Sequence, residues 1–97
     1  MATARGESRT GRRRERSRIF YDILRSIIDQ ESRDVAKITR VQNDVNLPSD
    51  RLRDHLGEMV ELGLVRHDRD LVSTEKGRAF VQEYERIANV LRQFGLL

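Results

Sequence analysis

Arginine is the residue type with the most evident binding chemistry in this chain. Residues 1–18 contain seven arginines against two glutamates, a net charge of +5, and the run Arg12, Arg13 and Arg14 is the densest part. Residues 19–97 contain 12 basic and 14 acidic side chains and are slightly acidic. Arginine-rich arms bind phosphates and minor grooves, so this segment favours nucleic-acid binding. A solubilising arm and a segment that binds an acidic protein are the alternatives.

The first 16 residues are predicted to form a disordered basic arm. They are rich in arginine, glycine, serine and threonine and almost free of apolar side chains, so they cannot bury enough surface to become ordered. The rest of the 97-residue chain is long enough for one small domain.

The patterns of histidine, cysteine and glycine do not point to catalysis. His55 and His67 are the only histidines, and neither has carboxylates at a convincing metal-binding spacing. The sequence lacks cysteine, which suits a reducing cytosol, and it lacks a glycine-rich phosphate loop. We therefore expect no catalytic residue, no metal, no cofactor and no small-molecule ligand.

The apolar segments are all shorter than the roughly 18 residues that a membrane helix needs. This length excludes a membrane partner and predicts a cytoplasmic protein, which DNA binding would place at the nucleoid.

The spacing of apolar residues predicts the elements that position these side chains. Helices are expected at residues 17–31, 35–44, 49–62 and 75–94, with short strands at 64–67 and 71–73 around a polar turn. Ser17, Asp34 and Thr74 are the expected caps of the first, second and last helices. Gly63 is placed to end the third helix in a left-handed conformation.

The third helix is predicted to bury one stripe and to expose an acidic face. The core stripe comprises Leu52, Leu56, Met59 and Val60. The outward positions are Asp50, Asp54, Gly57, Glu58 and Glu61. Four acids repel phosphate, so a DNA contact has to come from the first turn and a half, with Arg51 and Arg53 at the sides. A merely solvated helix with charges of both signs is the alternative.

Several motifs resemble those of the small archaeal winged helix-turn-helix regulators and chromatin proteins that dimerise through a long C-terminal helix. The resemblance covers residues 18–91 and rests on Ile-Phe-Tyr-Asp-Ile-Leu in the first helix and on residues 37–41, 46–49, 62–65 and 71–77. It implies a mainly α fold with a small β-hairpin, in the order α-α-α-β-β-α. Residues 17–74 would form the winged helix-turn-helix domain, and residues 75–97 a coiled-coil dimerisation helix. Duplex DNA would be bound by a homodimer.

The expected DNA contacts lie on four parts of the chain. Lys37 and Arg40, three residues apart, share one face of the second helix and suit backbone phosphates. Arg69 lies at the hairpin tip, where Asp68 and Asp70 make a purely solvated turn a close alternative. The full expected set is Lys37, Thr39, Arg40, Ser49, Arg51, Arg53, His55, Arg66 and Arg69, with Arg12, Arg13 and Arg14 of the arm.

The last helix carries a pattern typical of a coiled-coil seam. Phe80, Tyr84, Ile87, Leu91 and Phe94 are spaced four, three, four and three residues apart. A helix of some 20 residues, about 30 Å long, is too long for a three-helix core to cover. The pattern predicts a homodimer, with packing into the monomer core as the alternative.

Two functions are favoured by these observations, whereas RNA binding, a third possibility, lacks an exposed aromatic platform for stacking bases. A homodimeric double-stranded DNA-binding protein, acting in transcription regulation or chromatin, is favoured by the arginine arm and the resemblance. A protein-interaction module is favoured by the acidic outer face of the third helix, which suits a basic partner better than phosphate.

Overall fold

A computed structural model describes residues 15–97, so Arg12, Arg13 and Arg14 lie outside the described residues. The elements are helices α1 (Arg16–Glu31), α2 (Ile38–Val45) and α3 (Ser49–Glu61), strands β1 (Val65–His67) and β2 (Leu71–Ser73), and helix α4 (Glu75–Gln93). The predicted fold class is confirmed: mainly helical, with a two-stranded antiparallel hairpin and a long C-terminal helix. Within these residues, no helix is long and apolar enough to span a membrane.

The core lies where α1, α2, α3, the hairpin and the N-terminal half of α4 meet. Each helix places apolar side chains three or four residues apart and so presents one stripe to the others. The largest fully buried side chains are Ile23, Leu24, Ile27, Leu52, Met59, Leu71, Val41 and Val65. Leu52, Leu56 and Met59 of the expected α3 stripe are buried, but Val60 is 42% exposed. Including Val60 was wrong, because it lies on the edge of the stripe, where it lines an open groove and stays partly exposed.

Three helix ends are explained by the local chemistry of their residues. Gly63 ends α3 with φ 81°, as expected, and Asn46 ends α2 with φ 59°, a conformation that asparagine tolerates well. Thr74 caps α4 by accepting a hydrogen bond from the Gly77 amide at 3.0 Å, also as expected. Ser17 and Asp34 are not caps: Glu15 and Lys37 occupy those positions, without a side-chain cap bond.

The second helix begins at Ile38, three residues later than expected, because the preceding segment pairs with the hairpin. Ala36 forms a β-bridge with Leu71, and the Leu71 amide donates to the Ala36 carbonyl at 3.0 Å. The Lys37 amide donates to Oε1 of Gln30 at 2.9 Å. These bonds hold the start of α2 against α1 and against the hairpin, which we call the wing (residues 65–73).

Two side chains of residues 71–77, a Leu-x-x-Thr-x-Lys-Gly segment, connect α4 to the end of α3. The Thr74 hydroxyl donates to the Gly63 carbonyl at 2.6 Å, and Nζ of Lys76 donates to the Leu62 carbonyl at 2.6 Å. Both carbonyls lie at the end of α3, where intrahelical donors run out. The segment therefore fixes the direction in which the last helix leaves the wing.

Candidate nucleic-acid interface

The most outward direction of α3 is acidic, as the sequence predicts. With 100° per residue and Leu52, Leu56 and Met59 buried, the opposite side carries Asp50, Asp54 and Glu61, all exposed. Glu58, the fourth acid of this face, accepts a bond from Nη2 of Arg16 at 3.2 Å. If this face approached a phosphate backbone, its carboxylates would lie next to the negatively charged phosphates.

Arg51 and Arg53 lie on the two sides of that acidic face and are both exposed. Arg53 borders a shallow groove of about 230 Å³, with Ile38 of α2, Gly57 and Val60 of α3, and His67 of β1 among the other lining residues. A Cβ at Gly57 would meet nothing within 4 Å, so this side of the helix is open. None of the residues lining the groove is acidic. The Arg53 side of α3 therefore presents a more suitable surface to an anion than its outward face.

His55, an expected DNA contact, lies on the inner side of α3. Its ring meets Phe20 edge to face at a centroid distance of 6.0 Å and an interplanar angle of 77°. Its Nδ1 lies 3.6 Å from Glu58, too far for a hydrogen bond, and has no hydrogen-bond partner within residues 15–97. The side chain is mostly covered, which leaves little of it for a ligand. The helical angle alone does not reveal this, because the position lies at the edge of the buried stripe.

The other expected contact residues on α2 and the wing differ in whether their side chains already form ion pairs. Thr39, Arg40, Arg66 and Arg69 are exposed, and the three arginine side chains form no ion pair within the part of the chain that the structure describes. Ser49 is exposed as the first residue of α3.

Lys37, in contrast, is already engaged. Its Nζ donates to Oδ1 of Asp70 at 2.7 Å, across 33 residues of sequence. Sequence reasoning missed this partner, because no local spacing connects Asp70 to Lys37. The adjacent bridge between Ala36 and Leu71 brings the two together.

A second cleft, of about 550 Å³, lies between α1 and α4. Tyr21 and Tyr84 stack on its wall with ring centroids 4.5 Å apart, and the Tyr21 hydroxyl donates to Glu85 at 2.7 Å. Burial, followed by the hydrogen bond to Glu85, raises the pKa of Tyr21 to about 12. These contacts tie the first helix to the last. In residues 15–97 no group of three acidic, histidine or cysteine side chains could hold a metal ion.

Comparison with known protein families identifies a match. A family model described as winged helix-turn-helix matches residues 13–92, which is most of the chain and includes α1, the wing and nearly all of α4. No curated protein and no solved structure matches it. The winged helix-turn-helix is typically a non-enzymatic fold that binds DNA, so the match indicates DNA as a partner. The chain belongs to the winged helix-turn-helix family.

Proposed function

We propose that this protein binds double-stranded DNA as a homodimer, in transcription regulation or in chromatin. One observation supports DNA binding above the others: exposed arginines without an ion pair in residues 15–97 occur on each element expected to meet DNA. They are Arg40 on α2, Arg51 and Arg53 on α3, and Arg66 and Arg69 on the wing. Such unpaired guanidinium groups bind phosphate oxygens through two parallel hydrogen bonds.

The DNA would approach α3 from the side of Arg53, and not along its outward face. Asp50, Asp54 and Glu61 exclude phosphate from that face, whereas the groove beside Arg53 is free of carboxylates. Arg40 and the wing arginines would bind the flanking backbone. Contacts of this kind go mainly to phosphates, so they supply affinity and orientation with limited sequence choice.

The dimer would form through the C-terminal half of α4. Phe80 and Tyr84, the first two residues of the predicted seam, are half-buried within the monomer, where Tyr84 stacks on Tyr21. Further along, Ile87 is 51% exposed and Phe94 is 73% exposed. Together with Val90, Leu96 and Leu97 they form an exposed apolar surface at the end of the helix. Such a surface favours association with a second copy.

The test is duplex binding by the full chain, measured as fluorescence anisotropy of a labelled mixed-sequence duplex in about 50 and about 200 mM salt. Arg40→Ala, Arg53→Ala and Arg69→Ala are each expected to weaken binding about tenfold, because each removes a charged hydrogen bond to phosphate. The control is Arg86→Ala, which removes the same charge from α4, where Arg86 pairs with Glu83 at 2.8 Å. Equal losses in all four variants would contradict this interface.

A protein-interaction module is the second candidate, favoured by the acidic outward face of α3. In that case a basic partner would bind Asp50, Asp54 and Glu61. Asp54→Asn combined with Glu61→Gln distinguishes the candidates. DNA binding predicts that this variant binds the duplex more tightly, since two repulsive charges are removed. A duplex affinity that does not respond to these charges, or to the arginines, would favour the interaction module.

A further inference from the structure

The ion pair between Lys37 and Asp70 joins the start of α2 to the turn of the wing, immediately before β2. The 2.7 Å contact is framed by two backbone attachments. The Lys37 amide donates to Gln30, and the Leu71 amide, next to Asp70, donates to the Ala36 carbonyl. Because the backbone on both sides is held independently, the pair does not have to position the wing. Removing the carboxylate is therefore expected to free the lysine without displacing either element.

The two partners differ in accessibility. The Lys37 side chain is 54% exposed, whereas that of Asp70 is 20% exposed. The ammonium group can therefore turn towards an external anion, while the carboxylate stays largely covered at the wing. Asp68, two residues away, is exposed, and its side chain has no ion-pair partner in the described part of the chain. The two wing acids thus carry the same charge, but only Asp70 forms an ion pair with Lys37.

We propose that Asp70 occupies, in the free protein, the place that a DNA phosphate takes at Lys37. This inference rests on the proposed function. Binding then requires an exchange: the phosphate displaces the carboxylate from Nζ of Lys37, and Asp70 is left without its cation. Asp70 lowers the affinity for any duplex by this competition, and its effect acts through Lys37. It is a positioning residue for the lysine and does not itself touch DNA.

The exchange has a consequence for salt dependence. A lysine that neutralises one phosphate normally releases counterions and steepens the slope of log K against log salt by about 0.9. In this protein the Asp70 carboxylate, left without its lysine, would attract a cation from solution at the same moment. Uptake offsets release, so Lys37 adds little to the slope as long as Asp70 is present.

The experiment compares Asp70→Asn with Asp68→Asn in the full chain, by duplex anisotropy across a salt series. Both variants gain the same net charge. We expect Asp70→Asn to bind about fivefold more tightly than Asp68→Asn, the range of one exposed ion pair. Its salt slope should be steeper by about 0.9. Equal affinities and slopes for the two variants, with the wild type still binding, would overturn the inference and leave the proposed function intact.

A second pair of variants separates release of Lys37 from a loosened wing. Lys37→Met keeps the apolar stem and removes the charge. In the wild-type background it should weaken binding less than twofold, because the lysine is largely compensated. Combined with Asp70→Asn it should abolish the fivefold gain. A gain that survives Lys37→Met would show that Asp70 acts on the wing and would overturn the proposal. Absence of duplex binding in all variants would overturn both the proposal and the proposed function.

Discussion

Gly77 of α4 lies so close to the carbonyl oxygen of Leu64 that a Cβ at this position would overlap it. The contact lies at the entry to the wing, where the Thr74 amide also donates to the same carbonyl at 3.3 Å. The glycine of the Leu-x-x-Thr-x-Lys-Gly segment is therefore required by close approach of two backbones. This is a structural role.

Gly77→Ala is expected to destabilise the fold by about 3 kcal/mol, because a backbone carbonyl cannot move aside as a side chain can. Gly57→Ala is the matched control, since Gly57 is also helical and a Cβ there meets nothing within 4 Å. It should gain up to about 1 kcal/mol from helix propensity. Urea unfolding followed by circular dichroism measures both. If both variants changed the free energy of unfolding by the same amount and in the same direction, the close approach of Gly77 to the Leu64 carbonyl would be contradicted.

The Tyr21 hydroxyl is expected to lose its proton at a higher pH than an ordinary tyrosine. Tyr84→Phe leaves Tyr21 as the sole tyrosine and preserves the ring stack. The tyrosinate absorbance of this variant should then appear with a pKa of about 12, because burial and the Glu85 carboxylate both disfavour the phenolate. In denaturant, the same residue should titrate near its ordinary pKa of about 10.

The raised pKa of Tyr21 predicts that the folded protein becomes less stable at high pH. The folded-state pKa of Tyr21 is raised, so its contribution is complete below the unfolded pKa of about 10 and is lost as the pH rises towards 12. Glu85→Gln should lower the pKa only in part, since burial is the larger cause. Identical titration of folded and unfolded protein would contradict the contact.

The C-terminal half of α4 is expected to determine the oligomeric state. The monomer mass is 11.4 kDa, and the wild type should sediment at twice that value. Phe94→Ala and Ile87→Ala should shift the equilibrium towards monomer, as each removes an apolar side chain whose burial contributes about 1.5–3 kcal/mol. Val35→Ala, which shortens an exposed valine outside α4, should leave the mass unchanged. A monomeric wild type would refute the dimer.

The arginine arm is expected to add affinity without sequence choice. Replacing Arg12, Arg13 and Arg14 by alanine should reduce the slope of log K against log salt by up to about 2.7, if each binds one phosphate. The loss should be the same for unrelated duplex sequences. Anisotropy titrations on two duplexes of different composition provide the comparison. An unchanged slope would mean that the arm does not bind DNA.

Local patterns were sufficient for the elements and for most of the core. The stripe of Leu52, Leu56 and Met59 follows from helical spacing, and Gly63 and Thr74 mark helix ends through their own backbone and hydroxyl chemistry. These features depend on neighbours within a few residues. The acidic outward face of α3 also follows from them, since it is the complement of the buried stripe.

Only the tertiary structure decided which charged and apolar side chains are already engaged. Lys37 pairs with Asp70 and Tyr84 stacks on Tyr21, and the partners are separated by 33 and 63 residues. Ala36 leaves the expected second helix for the same reason, because its bridge to Leu71 comes from a distant strand. Sequence spacing identifies residues that can share a face of one element. Which faces meet depends on the packing of all the elements together, and that packing determines which residues remain available to DNA or to a second copy.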